Sequence, residues 1–287
     1  MLQQILNGLS LGTIYAVVAV GFSLTYNVLR LSNLAHGGML LAGAYVGYYV
    51  LKAKIPAGPA LLIAALAAGA LSLLLEKIIL KPIRSRGRPL VFFFMASMTS
   101  FTLMENFVSA ATGANVMSYP STALSQVFMV GDIRISMIDI TVLIGTILAL
   151  LATTSVLYRT RVGLAIRCAA QDPRAASLCG IDLDKVISVA FVISGLLGGI
   201  GGFFLGMNYT VNPELGQMVF KSFAACMIGG MGSIPGAVFG ALLFGITETM
   251  LIAYVNSALA PTLAYAMVIA FLLLKPSGLM GVYVEKL

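Results

Sequence analysis

The sequence predicts an all-α polytopic membrane protein, and three observations support this fold class. Of the 287 residues, 60% are hydrophobic and only 9% are charged, whereas about a quarter of the residues in a soluble globular domain are charged. The mean hydropathy is +1.01. Apolar stretches close to the roughly 20 residues that a membrane helix needs recur along the chain. Residues 1–287 are therefore expected to form a single transmembrane domain.

The apolar stretches define eight or nine candidate membrane segments. They occupy residues 5–29, 35–51, 58–80, 90–110, 138–158, 186–207, 217–232, 236–256 and 260–274. The seventh is short and ends in glycines, so it is either a full span or a broken, re-entrant helix buried in protein. Segments one to four and six to nine each begin with a glycine-rich stretch. If they are repeats, their odd separation gives them inverted topology; glycine-rich helices alone would also produce this similarity.

The basic residues set the orientation of the chain. The net charge of +7 does not indicate nucleic acid binding, because the basic residues cluster beside the apolar segments, where anionic lipid headgroups are sufficient partners. With nine segments, a periplasmic N-terminus and a cytoplasmic C-terminus, all but four of the 17 basic residues lie inside; the four are Lys52, Lys54, Arg134 and Lys221. The connection 112–136 is then periplasmic, with turns expected at Tyr119-Pro120 and Gly131-Asp132.

The most polar internal stretch, 159–185, is predicted to form a small helical elbow in the cytoplasm. Leu164–Ala170 is expected to be a short helix. Asp172 and Pro173 suit the N-cap and the first position of a second helix, and Gly180 suits the left-handed position after it. The two short helices would therefore meet at a fixed corner. An ordinary solvated loop is the alternative.

Three separated stretches resemble one known family. The run GLAIRCAAQDPRAASLCGID, from Gly163 to Asp182, resembles the cytoplasmic loop of branched-chain amino acid permeases of the LivH/LivM type, which are subunits of ATP-binding cassette importers. The run NLAHG at 33–37 is similar to the amino-terminal signature of that family. The run GGMGSIPG at 229–236, with the later KPSGLMG, is similar to its carboxy-terminal signature. The resemblance covers nearly the whole chain and is specific for the family, but not for the substrate.

The resemblance implies both a fold and a set of partners. The fold would be an inverted-repeat permease like that of the vitamin B12 importer, one helix shorter at the amino end. The partners would be a second permease subunit, with a heterodimer favoured, two cytoplasmic ATPases that use ATP and Mg²⁺, and a periplasmic binding protein, at the bacterial inner membrane. The elbow would sit in a cleft of the ATPase. Its expected coupling residues are Gly163, Arg167, Asp172, Pro173, Arg174, Ala176, Gly180 and Asp182.

Two polar residues at the start of the second segment are candidates for a gate. Asn33 and His36 precede the pair Gly37-Gly38, which lets another backbone approach closely. One interpretation is a pathway-lining cluster near the cytoplasmic mouth. The other is structural: His36, the only histidine, satisfies buried carbonyls and fixes the turn. A metal site is not expected, because no second histidine or suitably placed cysteine accompanies it.

Four polar side chains within the apolar segments are the remaining pathway candidates, namely Glu105, Asn106, Lys221 and Glu248. Ionisable groups inside a membrane are expensive and usually face a partner or a wet cavity. Lys221 and Glu248 have similar depths in neighbouring segments, so an ion pair between them is expected. Substrate contact is the alternative. Thr102 lies on the same helical face as Glu105 and offers it a hydroxyl.

The remaining motifs exclude some functions. The glycine-rich run at 229–236 lacks the lysine and hydroxyl residue of a phosphate-binding loop, so no nucleotide or other cofactor is expected on this chain and ATP hydrolysis falls to separate subunits. One histidine and scattered acids offer neither a metal centre nor a nucleophile with its base, so an enzyme is not expected. The main hypothesis is import of branched-chain or other neutral amino acids; the alternatives are an ion-coupled secondary transporter, or the same permease type carrying urea, amides or aromatic acids.

Overall fold

The computed structural model describes residues 1–113, 115–120, 126–130, 133–255, 257 and 259–281. Its α-helices in chain order are α1 (Leu2–Leu29), α2 (His36–Lys52), α3 (Ala57–Ser85, with a π-helical turn at Glu76–Leu80), α4 (Leu90–Thr112), α5 (Met137–Arg159), α6 (Arg161–Gln171), α7 (Pro173–Leu178), α8 (Leu183–Asn208), α9 (Met218–Gly229), α10 (Ile234–Tyr254) and α11 (Ala260–Leu274). A 3-10 turn, Pro213–Gln217, leads into α9. Each predicted apolar segment coincides with one of these helices.

Six helices in the described part of the chain are long and apolar enough to cross a membrane: α1, α3, α4, α5, α8 and α10. Helix α11 is apolar but has only 15 residues, and α2 has 17. Helix α9 has 12 residues, about 18 Å at 1.5 Å per residue. That length is well below the roughly 30 Å of a bilayer core, so α9 is too short to cross it alone.

A β-hairpin interrupts the otherwise helical chain and was not predicted. Strands β1 (Val127–Val130) and β2 (Ile133–Ser136) pair antiparallel between α4 and α5. The turn expected at Gly131-Asp132 lies outside the described residues. Ser136 ends the second strand and also caps α5, since its hydroxyl accepts from the Ile138 N–H and the Asp139 carboxylate accepts from the Ser136 N–H. Glu or Gln usually fills this third position of a capping box.

Glycines let the long helices pack in two similar pairs. On α8, a Cβ added to Gly199 would lie 2.7 Å from the Cβ of Ala68 on α3, and one added to Gly195 would lie 2.8 Å from the Ala68 carbonyl oxygen. On α1, Gly8 and Gly12 have the same four-residue spacing and face the backbone of α10 at 2.7 and 3.0 Å. Association of membrane helices depends on such close contact, because lipid supplies no hydrophobic drive.

Helices α1 and α8 cross at the centre of the molecule and run antiparallel. A Cβ on Gly21 would lie 3.1 Å from the carbonyl oxygen of Ser194, whereas Val18 meets Gly201, further along α8. Helix α1 packs through its glycines against α10, and α8 packs through its glycines against α3. Because α1 and α8 run antiparallel, these two glycine-paired sets have opposite directions.

The helices α2 and α9 both begin inside the protein. His36, the first residue of α2, lies against Gly21, eight residues before the end of α1 and thus about 12 Å along its axis. The connection 30–35 must therefore turn back between the helices. Gly216, in the 3-10 turn before α9, meets α2 at the same level, since a Cβ on Gly37 would lie 2.9 Å from the Gly216 carbonyl oxygen.

The glycine contact between α3 and α8 can be tested by thermal unfolding in detergent. Gly199→Ala would force the backbones apart, and overpacking of this kind costs about 1–3 kcal/mol, so the unfolding temperature should fall. The matched control is Gly58→Ala on α3, where an added Cβ meets nothing within 4 Å. That variant should unfold at or above the wild-type temperature, because alanine favours a helix. Equal effects of the two substitutions would contradict the packing argument.

Candidate functional site

The predicted elbow is present, and its local chemistry is as expected. The Thr160 hydroxyl accepts from the Gly163 N–H at the start of α6. The Asp172 carboxylate accepts from the N–H groups of Arg174 and Ala175 at 2.8 and 3.1 Å and so caps α7, with Pro173 in its first turn. Gly180 follows α7 with φ +81, where a side chain would be strained. Helix α6 extends beyond the predicted 164–170 to Arg161–Gln171.

One face of the elbow is fixed to the helix bundle. The buried residues Ile166, Ala169 and Ala176 join an apolar cluster with residues near the adjoining ends of α1, α3, α4, α5 and α8. Arg30, just after α1, donates to the Ala170 carbonyl at 2.9 Å. The backbone carbonyl of Leu157 leaves no room for a side chain at Gly163. Movement of the elbow must therefore move the ends of these helices.

The other face of the elbow is open to solvent. Asp172 and Arg174 are exposed, and the guanidinium of Arg167 lies 5.0 Å from the centre of the Tyr158 ring. The Lys185 N–H donates to Asp182, which lowers the pKa of that carboxyl. Leu178 is 90% exposed, so a large apolar side chain stands among charged ones. Leu178 was not predicted from the sequence as a functional residue, although its position at the end of a short helix in the most polar internal stretch was a usable signal.

The predicted ion pair between Lys221 and Glu248 is present. The Lys221 Nζ lies 2.5 Å from Glu248 Oε1, and the Tyr15 hydroxyl donates to Glu248 Oε2 at 3.0 Å. Glu248 is 1% exposed and Tyr15 is fully buried. The pair therefore links α9 to α10, and Tyr15 extends the link to α1. The tyrosine was not predicted, because its partner lies 233 positions further along the chain.

Glu105 is bonded to a residue that the sequence analysis did not single out. Gln217, at the end of the 3-10 turn, donates to Glu105 Oε1 at 2.8 Å. The Thr102 hydroxyl donates instead to the Met98 carbonyl, so the expected Thr102–Glu105 contact is not the one formed. Asn106 is exposed and donates to the Thr102 carbonyl at 2.8 Å. Both Glu105 and Asn106 thus lie on an open side of α4.

Lys221 and Gln217 both line a polar cavity of about 370 Å³. Its polar lining includes Tyr209, Thr210, Asn212, Glu214, Gln217, Lys221 and Tyr265. Glu248 supports one wall through Lys221, and Glu105 supports another through Gln217. Among the described residues, no cluster of three or more His, Cys, Asp or Glu side chains could hold a metal ion. Because Leu215, Met218 and Phe220 also line it, the cavity offers a small molecule both hydrogen bonds and apolar contact.

Asn33 and His36 lie elsewhere, inside the protein. His36 is 1% exposed, and its Nδ1 lies 3.2 Å from the Ser194 hydroxyl on α8. Asn33 is 4% exposed, and the next residue, Leu34, donates its N–H to the Ser97 hydroxyl. His36 lies against Gly21, eight residues before the end of α1 and thus about 12 Å from that end by helical rise. The hydrogen-bond contact of His36 is with a hydroxyl, not with the buried carbonyls that the structural interpretation expected, and its Nε2 has no hydrogen-bond partner among the described residues.

The sequence matches a known protein family along most of its length. The family model described as "Branched-chain amino acid transport system / permease component" matches residues 4–274. The chain belongs to this family. The permease is 34% identical to LivH of Escherichia coli K12 over 98% of this chain and 95% of that one. It is 30% identical to BraD of Pseudomonas aeruginosa, with the same coverage.

Two further comparisons extend to other organisms. A probable branched-chain amino acid transport permease protein LivH of Methanocaldococcus jannaschii is 28% identical over 94% of this chain and 90% of that one. Among solved structures, a chain of PsaBC from Streptococcus pneumoniae in complex with Fab aligns with a TM-score of 0.48 and 13% identity, covering 93% of this chain and 89% of that one. The family consists of transport permeases, which are not themselves enzymes.

Charge reversal tests the Lys221–Glu248 pair in the permease. Lys221→Glu or Glu248→Lys alone would leave two like charges together in a largely buried site, and breaking such a pair costs about 3–5 kcal/mol. Each single variant should lose folded protein and transport. The double variant restores opposite charges and should recover much of both, as measured by fluorescence-detected size exclusion and substrate uptake. A double variant no better than either single one would show that the pair does not stabilise the fold.

Proposed function

We propose that the permease is a transmembrane subunit of an ATP-binding cassette importer for branched-chain or other neutral amino acids. It would receive substrate from a periplasmic binding protein and release it to the cytoplasm by alternating access. The observation that carries this proposal is the elbow, which is anchored to five helix ends on one face and solvent-exposed on the other. Full-length similarity to LivH and BraD, both named as high-affinity branched-chain amino acid permeases, supports the substrate class.

The proposed topology has nine membrane segments. They are α1, α2, α3, α4, α5, α8, α9, α10 and α11, with the N-terminus periplasmic and the C-terminus cytoplasmic in the bacterial inner membrane. The glycine-paired sets, α1 with α10 and α8 with α3, support an inverted repeat, because α1 and α8 run antiparallel. A fold of the vitamin B12 permease type is part of this proposal. The 3-10 turn and α9 together form the seventh segment.

The proposed pathway follows the open side of α4 and the polar cavity. Glu105 lies seven residues before the end of α4, about 10 Å along its axis, where a charged group facing lipid would be costly. A face with Glu105 and the exposed Asn106 must therefore meet water or another protein. The interface with a second permease subunit, for which a heterodimer is favoured, would provide both. Lys221 and Glu248 then act mainly as structural supports for the cavity wall.

The proposed power source is a pair of separate ATPase subunits that bind ATP and Mg²⁺. Each would hold the exposed face of an elbow, including Asp172, Arg174 and Leu178. When the ATPases close, the anchored face would tilt the attached helices as rigid bodies. An ion-coupled transporter does not need such an elbow, and Glu248 is held by Lys221 and Tyr15, which leaves it poorly placed to bind a transported ion.

Co-purification tests the elbow. Asp172→Ala removes the cap of α7, and Pro173→Ala removes the ring that fixes φ in its first turn. Arg174→Ala removes an exposed charge. A permease with all three substitutions should no longer retain the ATPases. The control is Lys52→Ala at the opposite end of the molecule, which should retain them. The measurement is the amount of ATPase recovered per permease in detergent. If the permease purifies alone and transports on an ion gradient without ATP, the proposed function is wrong.

Cysteine labelling tests the pathway face. With the native cysteines replaced, Asn106→Cys should react with a membrane-impermeant thiol reagent added from the periplasmic side, because a thiol in water ionises far more readily than one in lipid. Phe107→Cys is the matched control on the same helix, 72% exposed and about 100° around the helix axis from Asn106, on the side that we expect to face lipid. We expect a rate difference of about tenfold or more, in line with the thiolate fractions. Equal rates would place both positions in the same environment.

A further inference from the structure

The structure contains a buried carboxylate that the proposed pathway does not use. Glu76 lies on α3, nine residues before the end of that helix, and is 0% exposed. It begins the π-helical turn Glu76–Leu80, and single π-helical turns inside α-helices are found often at functional positions. Burial of a charged group is costly unless it is paired and hydrogen-bonded. Other groups in the structure must therefore compensate the cost of burying the Glu76 carboxylate.

Pro82 explains the π-helical turn. Proline lacks an N–H and its ring crowds the carbonyl four residues earlier, which disrupts an α-helix at that point. The neighbouring Lys81 N–H donates to the Glu76 carbonyl, five residues back. In an α-helix, residues eight apart are about 80° apart around the axis, at 3.6 residues per turn. The wider π-helical turn winds less per residue, and this brings Glu76 and Arg84 towards the same face.

The aligned side chains form an ionic network with α8. Arg84 Nη2 lies 3.1 Å from Glu76 Oε1 and 2.8 Å from Asp184 Oδ1, so one guanidinium nitrogen bridges two helices. The Ser188 hydroxyl donates to the other Glu76 oxygen at 2.9 Å. Lys81 pairs with the second oxygen of Asp184 at 2.9 Å. Both oxygens of Glu76 are thereby satisfied, and two acids are matched by two bases.

The network stands directly beside the elbow. Asp184 is the second residue of α8, which begins where the elbow ends. Leu80, in the π-helical turn, belongs to the same apolar cluster as Ile166 and Ala169 of α6. Further along, α3 and α8 stay in contact through Gly195 and Gly199. Helix α3 is therefore joined to α8 by ions near the elbow and by backbone contact within the bundle.

We propose that Glu76 and Arg84 are positioning residues for energy coupling: they clamp the inner end of α3 to α8, so that both helices follow the elbow when it moves. This inference rests on the proposed importer function. A buried ion pair adds little net stability compared with apolar side chains of similar size, but it demands one particular arrangement. The clamp thus fixes the position of α3 relative to the elbow, where an apolar contact would allow it to slide.

The test uses the complete importer, with its ATPases and binding protein, in proteoliposomes containing ATP. Glu76→Gln removes the charge that holds Arg84. The double variant Glu76→Leu with Arg84→Met removes both charges and fills the space with apolar groups, so it is expected to fold and assemble. For each variant we measure ATP hydrolysis, uptake of a branched-chain amino acid, and ATPase recovered with the permease. We expect normal assembly in the double variant, with at least a fivefold loss of uptake per ATP hydrolysed.

Asp139→Asn is the matched control. Its carboxylate also accepts a hydrogen bond from a serine on another helix, Ser10 at 2.7 Å, but it lies at the opposite end of α5 from the elbow. This variant should keep the wild-type ratio of uptake to hydrolysis.

The outcomes separate the inference from the function on which it rests. An unchanged ratio in the assembled double variant would overturn the clamp. So would a fall in uptake that merely parallels a loss of bound ATPase, because that pattern indicates a structural role alone. If the wild-type complex fails to import amino acids with ATP, the proposed function itself is wrong, whatever the variants do.

Discussion

Close contact between helix backbones is the constraint on which the rest of this structure depends. Lipid gives membrane helices no hydrophobic reason to associate, so small side chains and the short contacts that they permit must hold the bundle together. Gly195 and Gly199 on α8, and Gly8 and Gly12 on α1, provide those contacts twice, in two sets of opposite direction. The space saved at these crossings also lets α2 and α9 begin inside the protein, where Gly37 and Gly216 touch.

The charged groups inside the bundle divide into two centres with different surroundings. Lys221, Glu248 and Tyr15 join α9, α10 and α1 beside an open polar cavity. Glu76 and Arg84 join α3 to α8 beside the elbow. Each centre matches its charges internally, which lowers the cost of burial. One centre therefore stabilises a wall of the cavity, and the other stabilises the junction of α3 and α8 beside the elbow.

The sequence was sufficient for features that depend on local signals. Helix positions follow from apolar length, and the elbow follows from Asp172, Pro173 and Gly180, whose backbone preferences act within one turn. The hairpin was missed because its two four-residue strands gain stability only from pairing with each other. Glu76 was missed because it stands beside Lys77 at the end of an apolar run, as an ordinary interfacial residue would. Its partner Ser188 lies 112 positions further along the chain, and Asp184, which shares Arg84 with Glu76, lies 100 positions beyond Arg84. Only the folded chain brings these residues together.

The exposed Leu178 has a consequence for handling the protein. In the proposed importer an ATPase would cover this side chain, whereas a permease produced alone would expose it to water at the end of a short helix. Exposed apolar side chains of this kind favour association between molecules. Under that proposal, producing the subunits together should give more monodisperse protein than producing the permease alone.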